Sequence, residues 1–213
     1  MSNRIVTRCA SLMLAAFVIA GCSDDEPTGI DILPWETTPR SVGILQGATT
    51  QIGVTGIAAS DVTWSSSDAT IATVNAAGLV SGVGAGTTAI SATSTSDGTI
   101  ISSNVTVTAV PTLTSGVART GISGTPGNPP YFKVIVPAGA TNLTIAMSGG
   151  TGDADIHVRF GALPTLTQFD CRPWAGGNNE TCTFTPPQVG TYFIMIDPYV
   201  AFTGVSLVAT ITP

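Results

Sequence analysis

Charge is scarce in this chain: 9% of its 213 residues are charged, and seven basic side chains face thirteen acidic ones, a net charge of −6. The basic residues are scattered, so no patch exists to neutralise phosphates, and nucleic acid is excluded as a partner. Histidine occurs once, at His157, which excludes a zinc site built on two or three imidazoles. Neither H-E-x-x-H nor G-x-S-x-G occurs. A Ser–His–Asp triad would have to use His157, and no serine near it falls on the strained turn such a nucleophile needs. No enzyme is expected. Aromatic residues make up only 6% of the chain, and the longest apolar run falls short of the roughly 20 residues that span a bilayer. What is abundant is Thr, Ser, Gly and Val, the composition of strands and tight turns.

The N-terminus reads as an export signal. Arg4 and Arg8 precede an apolar run, Cys9 to Ala20, that closes on Ile19-Ala20-Gly21-Cys22. That tetrapeptide resembles the bacterial lipobox, which implies a signal peptide over 1–21, cleavage before Cys22 and acylation of its thiol. More than one acyl chain gives stable anchoring. Ser23 after the cysteine resembles the outer-membrane retention signal, so the resemblance implies a lipid-anchored envelope protein, periplasmic or surface-exposed, that touches the membrane through its lipid alone. Without Arg4 and Arg8, five basic side chains face thirteen acidic ones, a net charge near −8 on about 190 residues. Residues 22–36 are acidic and proline-punctuated, a tether, although Ile30, Ile32 and Trp35 could instead begin the first domain. With Cys9 removed and Cys22 acylated, Cys171 and Cys182 remain, in a Gly/Asn-rich loop of an exported chain. They predict one disulfide, contributing about 3 kcal/mol in the chain-entropy model.

The fold class expected is all-β, two antiparallel sandwiches in series. Over 37–109, Val62/Trp64, Ala72/Val74, Ile90/Ala92 and Val105/Val107 alternate, between turns that carry Gly78, Gly86 and Gly98. The run VTWSSSDATIATVNAAGLVSGVGAGTTAISATS closely resembles the bacterial immunoglobulin-like group 2 repeat, through Trp64, the SSS-D-x-x-IATV run, AAGLVSGV and GTTAI. The resemblance implies a non-catalytic spacer. Residues 110–116 read as a linker. Over 117–213 a second alternating series follows: Phe132/Val134/Val136, Leu143/Ile145/Met147, Ile156/Val158/Phe160, Tyr192/Ile194/Ile196 and Val205 to Ile211. It predicts a second sandwich, of jelly-roll type. YFKVIVPAGATNLTIAMSGGTGDADIHVRFGALPT, FDCRPW, GNNETC and VGTYFIMI resemble the bacterial pre-peptidase C-terminal domain, which trails secreted peptidases and is thought to assist secretion or hold the enzyme on its substrate. Two departures stand out: no peptidase domain precedes it here, and His157 occupies a position where the family usually has an aromatic such as Tyr.

Chemistry concentrates between Gly149 and Cys182. Alternation puts Asp153, Asp155, His157 and Arg159 on the strand face opposite Ala154, Ile156 and Val158, with His157 expected at the surface or on an edge strand. The carboxylates admit two readings. One is an ion-pair network, Asp153 or Asp155 holding Arg159 or Arg172 and so fixing the disulfide loop. The other is a calcium site from Asp153, Asp155, Asp170 and Glu180, with Asn178 and Asn179 at hand. Aromatics near loops, Trp174 foremost, then Tyr131, Tyr199 and Phe202, are the candidate ligand contacts. Two functions follow: a surface-displayed adhesion module for extracellular protein or polysaccharide, or an accessory of a secreted peptidase system acting in export or substrate capture.

Overall fold

The computed structural model describes residues 35–213. Cys22, the signal segment 1–21 and the tether up to residue 34 lie outside the described residues. The first sandwich begins slightly earlier than expected. Trp35 is buried against Val62 and Ala92, and β1 (Glu36–Thr38) pairs with β4 (Gly53–Thr55). Of the two openings left for this domain, the indole anchors the earlier one.

Around it, β2 (Ser41–Leu45), β9 (Ile100–Thr108), β8 (Gly86–Ser94) and β5 (Val62–Ser66) form one sheet, in that order. Facing them, β3 (Thr49–Gln51), β7 (Leu79–Gly82) and β6 (Ala72–Val74) form another. Ile90, Val105 and Val107 from the first sheet meet Ala72, Val80 and Ile52 from the other side. The alternating positions read from the sequence are the ones that face inward. One pairing departs from the antiparallel expectation: β2 runs parallel to β9, Ser41 opposite Asn104. A parallel pair needs a long crossover, and here the rest of the domain supplies it. The NAAG turn closes because the Asn75 side chain accepts the Ala77 and Leu79 amides at 2.9 and 3.0 Å. Gly78 sits at φ +79°, and a Cβ there would strike the Ile52 carbonyl, so only glycine fits.

The segment 110–116 is no free spacer. Val110 and Leu113 are buried, the Lys133 amide donates to the Pro111 carbonyl at 2.9 Å, and the Leu113 amide donates to the Lys133 carbonyl at 2.7 Å. The chain is zipped along an edge strand because its apolar residues have a core to enter and its backbone groups have partners.

The second sandwich has strands β10 (Arg119–Gly124), β11 (Tyr131–Val136), β12 (Asn142–Ser148), β13 (Thr151–Phe160), β14 (Glu180–Phe184) and β15 (Gly190–Thr212). β15 spans 23 residues and serves both sheets. Its first part lies between β11 and β13, and its second part pairs with β10 and β12, with β14 beyond β12. Phe132, Val134, Ile156, Val158, Ile194 and Ile196 face Leu143, Ile145, Met147, Leu207 and Ala209 across one core.

The outer face of the β11–β15–β13 layer is partly covered as well. Phe193 and Met195 are buried there. The loop 161–179 covers part of it, and the turn before β3 meets another part, where Gly47 packs on Phe193; Ile135 on β11 stays exposed. Alternation along β13 holds as expected, but the face assigned to solvent is roofed.

Candidate functional site

The residues singled out between Gly149 and Cys182 fall into an interior network beneath the 161–179 loop and an open cleft beside it. Gly152, at φ +94°, passes so close to the Ala201 carbonyl that no side chain fits. Register shifts on both sides of Asp153, opposite Val200, mark a β-bulge that re-aims its carboxylate.

Cys171 and Cys182 are joined by a disulfide, 11 residues apart in sequence. Cys182 lies in the core, so the bond ties the loop to β14. A second tie is ionic: Arg172 Nη2 donates to Asp155 Oδ2 at 3.1 Å. Asp155 is 5% exposed. Arg159 takes no part, since it donates instead to Gln168 Oε1 at 2.9 Å. Of the two readings of the carboxylates, the geometry is that of the ion-pair network.

The four proposed calcium ligands are individually employed. Asp153 Oδ1 accepts the Gly177 amide at 2.8 Å, and Asp170 Oδ2 accepts the Phe160 amide at 2.7 Å. Glu180, only 3% exposed, accepts the Ile156 amide at 2.7 Å and the Ala175 amide at 3.1 Å. Among the described residues no group of three or more His, Cys, Asp and Glu side chains is disposed to hold a metal ion. Backbone amides partner Asp153, Asp170 and Glu180, and the Arg172 guanidinium partners Asp155. Burial pushes the Glu180 carboxyl up to about 7, and the neighbouring Asp155 carboxylate adds to this against the two amide donors. Nothing in the local pattern distinguished this buried acid from a loop ligand.

His157 lies on an edge strand, since β13 pairs with β15 alone among the strands, but not at the surface. It is 0% exposed, and neither ring nitrogen has a hydrogen-bond partner. Its ring meets Phe169 edge-on with centroids 5.2 Å apart, which is how an aromatic at this position would pack. Burial pushes its pKa down and the Arg172 guanidinium pushes the same way, against Asp197 and Asp155. An imidazole sealed in this way has no route to a substrate.

The aromatic candidates separate. Phe202 and Tyr192 are core. Tyr131 is half-buried, its hydroxyl donating to Met195 Sδ at 3.0 Å, and it borders a groove of about 400 Å³ between the two sandwiches. Trp174 and Tyr199, 81% and 75% exposed, are brought together, lining a cleft of about 210 Å³ with Asp153 and Asp155. The Arg172 guanidinium lies 3.9 Å from the centre of the Trp174 ring. What the sequence did not reveal is the contact between sandwiches: Lys133 Nζ donates to Gln46 Oε1 at 2.8 Å. A Gln in a turn and a Lys in a strand carry no local mark of such a partnership.

Two family models match the chain. Residues 33–103 match the bacterial Ig-like domain (group 2), and residues 131–198 match the bacterial pre-peptidase C-terminal domain. Among curated proteins, alkaline serine exoprotease A of Vibrio alginolyticus is 53% identical over 97 residues, which are 46% of this chain and 18% of that protein. A zinc metalloprotease of Helicobacter pylori is 37% identical over 95 residues, 45% of this chain and 37% of that protein. This chain therefore spans well under two thirds of the length of either relative. A solved structure described as the solution structure of vEP C-ter 100 is similar at 32% identity and a TM-score of 0.41, over 46% of this chain and 96% of that one. The regions matched in the proteases are non-catalytic. The chain carries a bacterial Ig-like domain (group 2) followed by a bacterial pre-peptidase C-terminal domain.

Proposed function

We propose that this protein is a non-catalytic accessory of a secreted peptidase system, held in the cell envelope or released outside it, whose C-terminal sandwich captures extracellular polypeptide. The observation that carries this is the sharing of one segment between a serine exoprotease and a zinc metalloprotease. A segment common to two unrelated catalytic chemistries serves something both need, such as export or a hold on substrate, and not bond cleavage. The Ig-like domain acts as a spacer: the zipped 110–116 segment and the Lys133–Gln46 hydrogen bond give the C-terminal module a fixed attachment. The exposed Trp174 and Tyr199 provide rigid aromatic contact area. These features support capture of a peptidase's substrate ahead of the adhesion reading, and anchoring through Cys22 remains part of the proposal.

The test is cosedimentation of the full-length protein with insoluble elastin, fibrillar collagen and heat-aggregated casein. It is paired with digestion of each by a secreted protease stripped of its own pre-peptidase C-terminal segment. Pelleting with at least one protein, and faster digestion when the chain is added in trans, are expected. Failure to pellet with any of them, with no effect on digestion, overturns the proposal.

A further inference from the structure

We infer that the cleft between Trp174 and Tyr199 receives a basic side chain, a lysine ammonium or an arginine guanidinium, of an extracellular polypeptide. This rests on the capture reading above and names the chemistry it recognises.

Two large aromatic rings stand in solvent on the same side of the sandwich, one from the disulfide loop and one from β15, while the other large rings of this sandwich are buried or partly packed. Exposed Trp and Tyr side by side are the composition of a contact surface rather than of a domain end. Asp153 and Asp155 line the same cleft. Asp155 has its counter-ion in Arg172. Asp153 is different. Its Oδ1 accepts a backbone amide, and among the described residues no basic side chain pairs with it. The cleft therefore keeps an uncompensated carboxylate beside two exposed aromatic rings.

That combination distinguishes a cation from a sugar. Either ligand could stack on Trp174, but covering Asp153 with a neutral ring would strip water from an unpaired charge, which is costly. A cation supplies the missing partner and gains from contact with the exposed rings. The molecule already makes this contact internally: the Arg172 guanidinium rests 3.9 Å from the Trp174 ring centre while paired to Asp155. An incoming basic side chain would repeat the arrangement, with Tyr199 and Asp153 in the corresponding roles. The bulge at Asp153 and the obligatory Gly152 place that carboxylate in the cleft.

The experiment titrates the full-length protein with fluorescein-labelled decalysine and, separately, with chitohexaose, following anisotropy and Trp fluorescence. The variants are Trp174→Ala, Asp153→Asn, which keeps an acceptor for the Gly177 amide, and Asp97→Asn, which removes one carboxylate from an exposed turn of the first sandwich. Decalysine should bind the wild type, and Trp174→Ala and Asp153→Asn should each weaken it about tenfold. Asp97→Asn should leave it unchanged. Equal loss in Asp97→Asn and Asp153→Asn would reduce the effect to overall charge and overturn the inference. So would Trp174-dependent binding of chitohexaose without binding of decalysine. Pelleting with insoluble protein that survives Trp174→Ala and Asp153→Asn overturns the cleft's role while leaving the capture reading in place. Decalysine binding at the cleft without any pelleting removes the capture reading instead.

Discussion

The Arg172 guanidinium donates to the Asp155 carboxylate at 3.1 Å, tying a surface loop to the interior of a strand. Because Asp155 lies beneath the loop, removing Arg172 leaves a buried charge unpaired. Arg172→Ala should cost about 3 kcal/mol in urea unfolding. Adding Asp155→Asn to it should recover part of that loss, since the second change removes the stranded charge. A double variant no more stable than Arg172→Ala alone would show that the pair is not the source of the cost.

Glu180 and His157 impose opposite pH dependences. The Glu180 carboxyl, raised to about 7 by burial, binds its proton more tightly in the folded state than the unfolded chain does. Its contribution is complete below pH 4.5 and is lost as pH rises towards 7. Glu180→Gln cannot ionise, and so its melting temperature relative to wild type should improve between pH 4.5 and about 7 and level off above that. A constant difference across that range would count against the shift.

His157 works the other way. Its folded-state pKa is depressed below the ordinary 6.5, so its contribution is present above pH 6.5 and lost as pH falls. His157→Phe removes two unpartnered buried nitrogens and keeps the edge-on contact with Phe169. The variant should gain about 1 kcal/mol at pH 8, and a larger margin at pH 5. Calorimetry at the two pH values measures both.

Gly47 lies at φ +85°, and a Cβ there would sit 3.4 Å from the Phe193 ring. Gly47→Leu is both strained in backbone and too large for the contact, so it should separate the two sandwiches. A single thermal transition should become two, and the radius of gyration from small-angle scattering should increase. Gly98→Leu, with open space around its Cβ position, should leave the scattering unchanged.

Period-two alternation was enough to identify the inward residues of β11, β12, β13 and β15, because a strand has only two faces and one must be apolar. It could not tell whether the opposite face meets water. On β13 that face carries Asp155, His157 and Arg159, residues that read as exposed, yet Asp155 and His157 are buried by a loop and Phe193 on β15 by a turn of the other domain. The same limit separated the aromatic candidates. Trp174 and Tyr199 share a cleft, whereas Phe202 fills the core, and only the paths of β15 and the disulfide loop decide which ring goes where.

The sequence by itself determined the strand pattern, the turn glycines, the pairing of Cys171 with Cys182 and the order of the two domains. Each of these depends on local geometry or on the count of residues available. Tertiary structure alone decided that the 110–116 segment is zipped in place, that Arg172 is the partner of Asp155, and that His157 is buried. Those outcomes depend on which distant segments supply a backbone donor, a counter-ion or a roof, and such partners lie far away in sequence and near only in the folded chain.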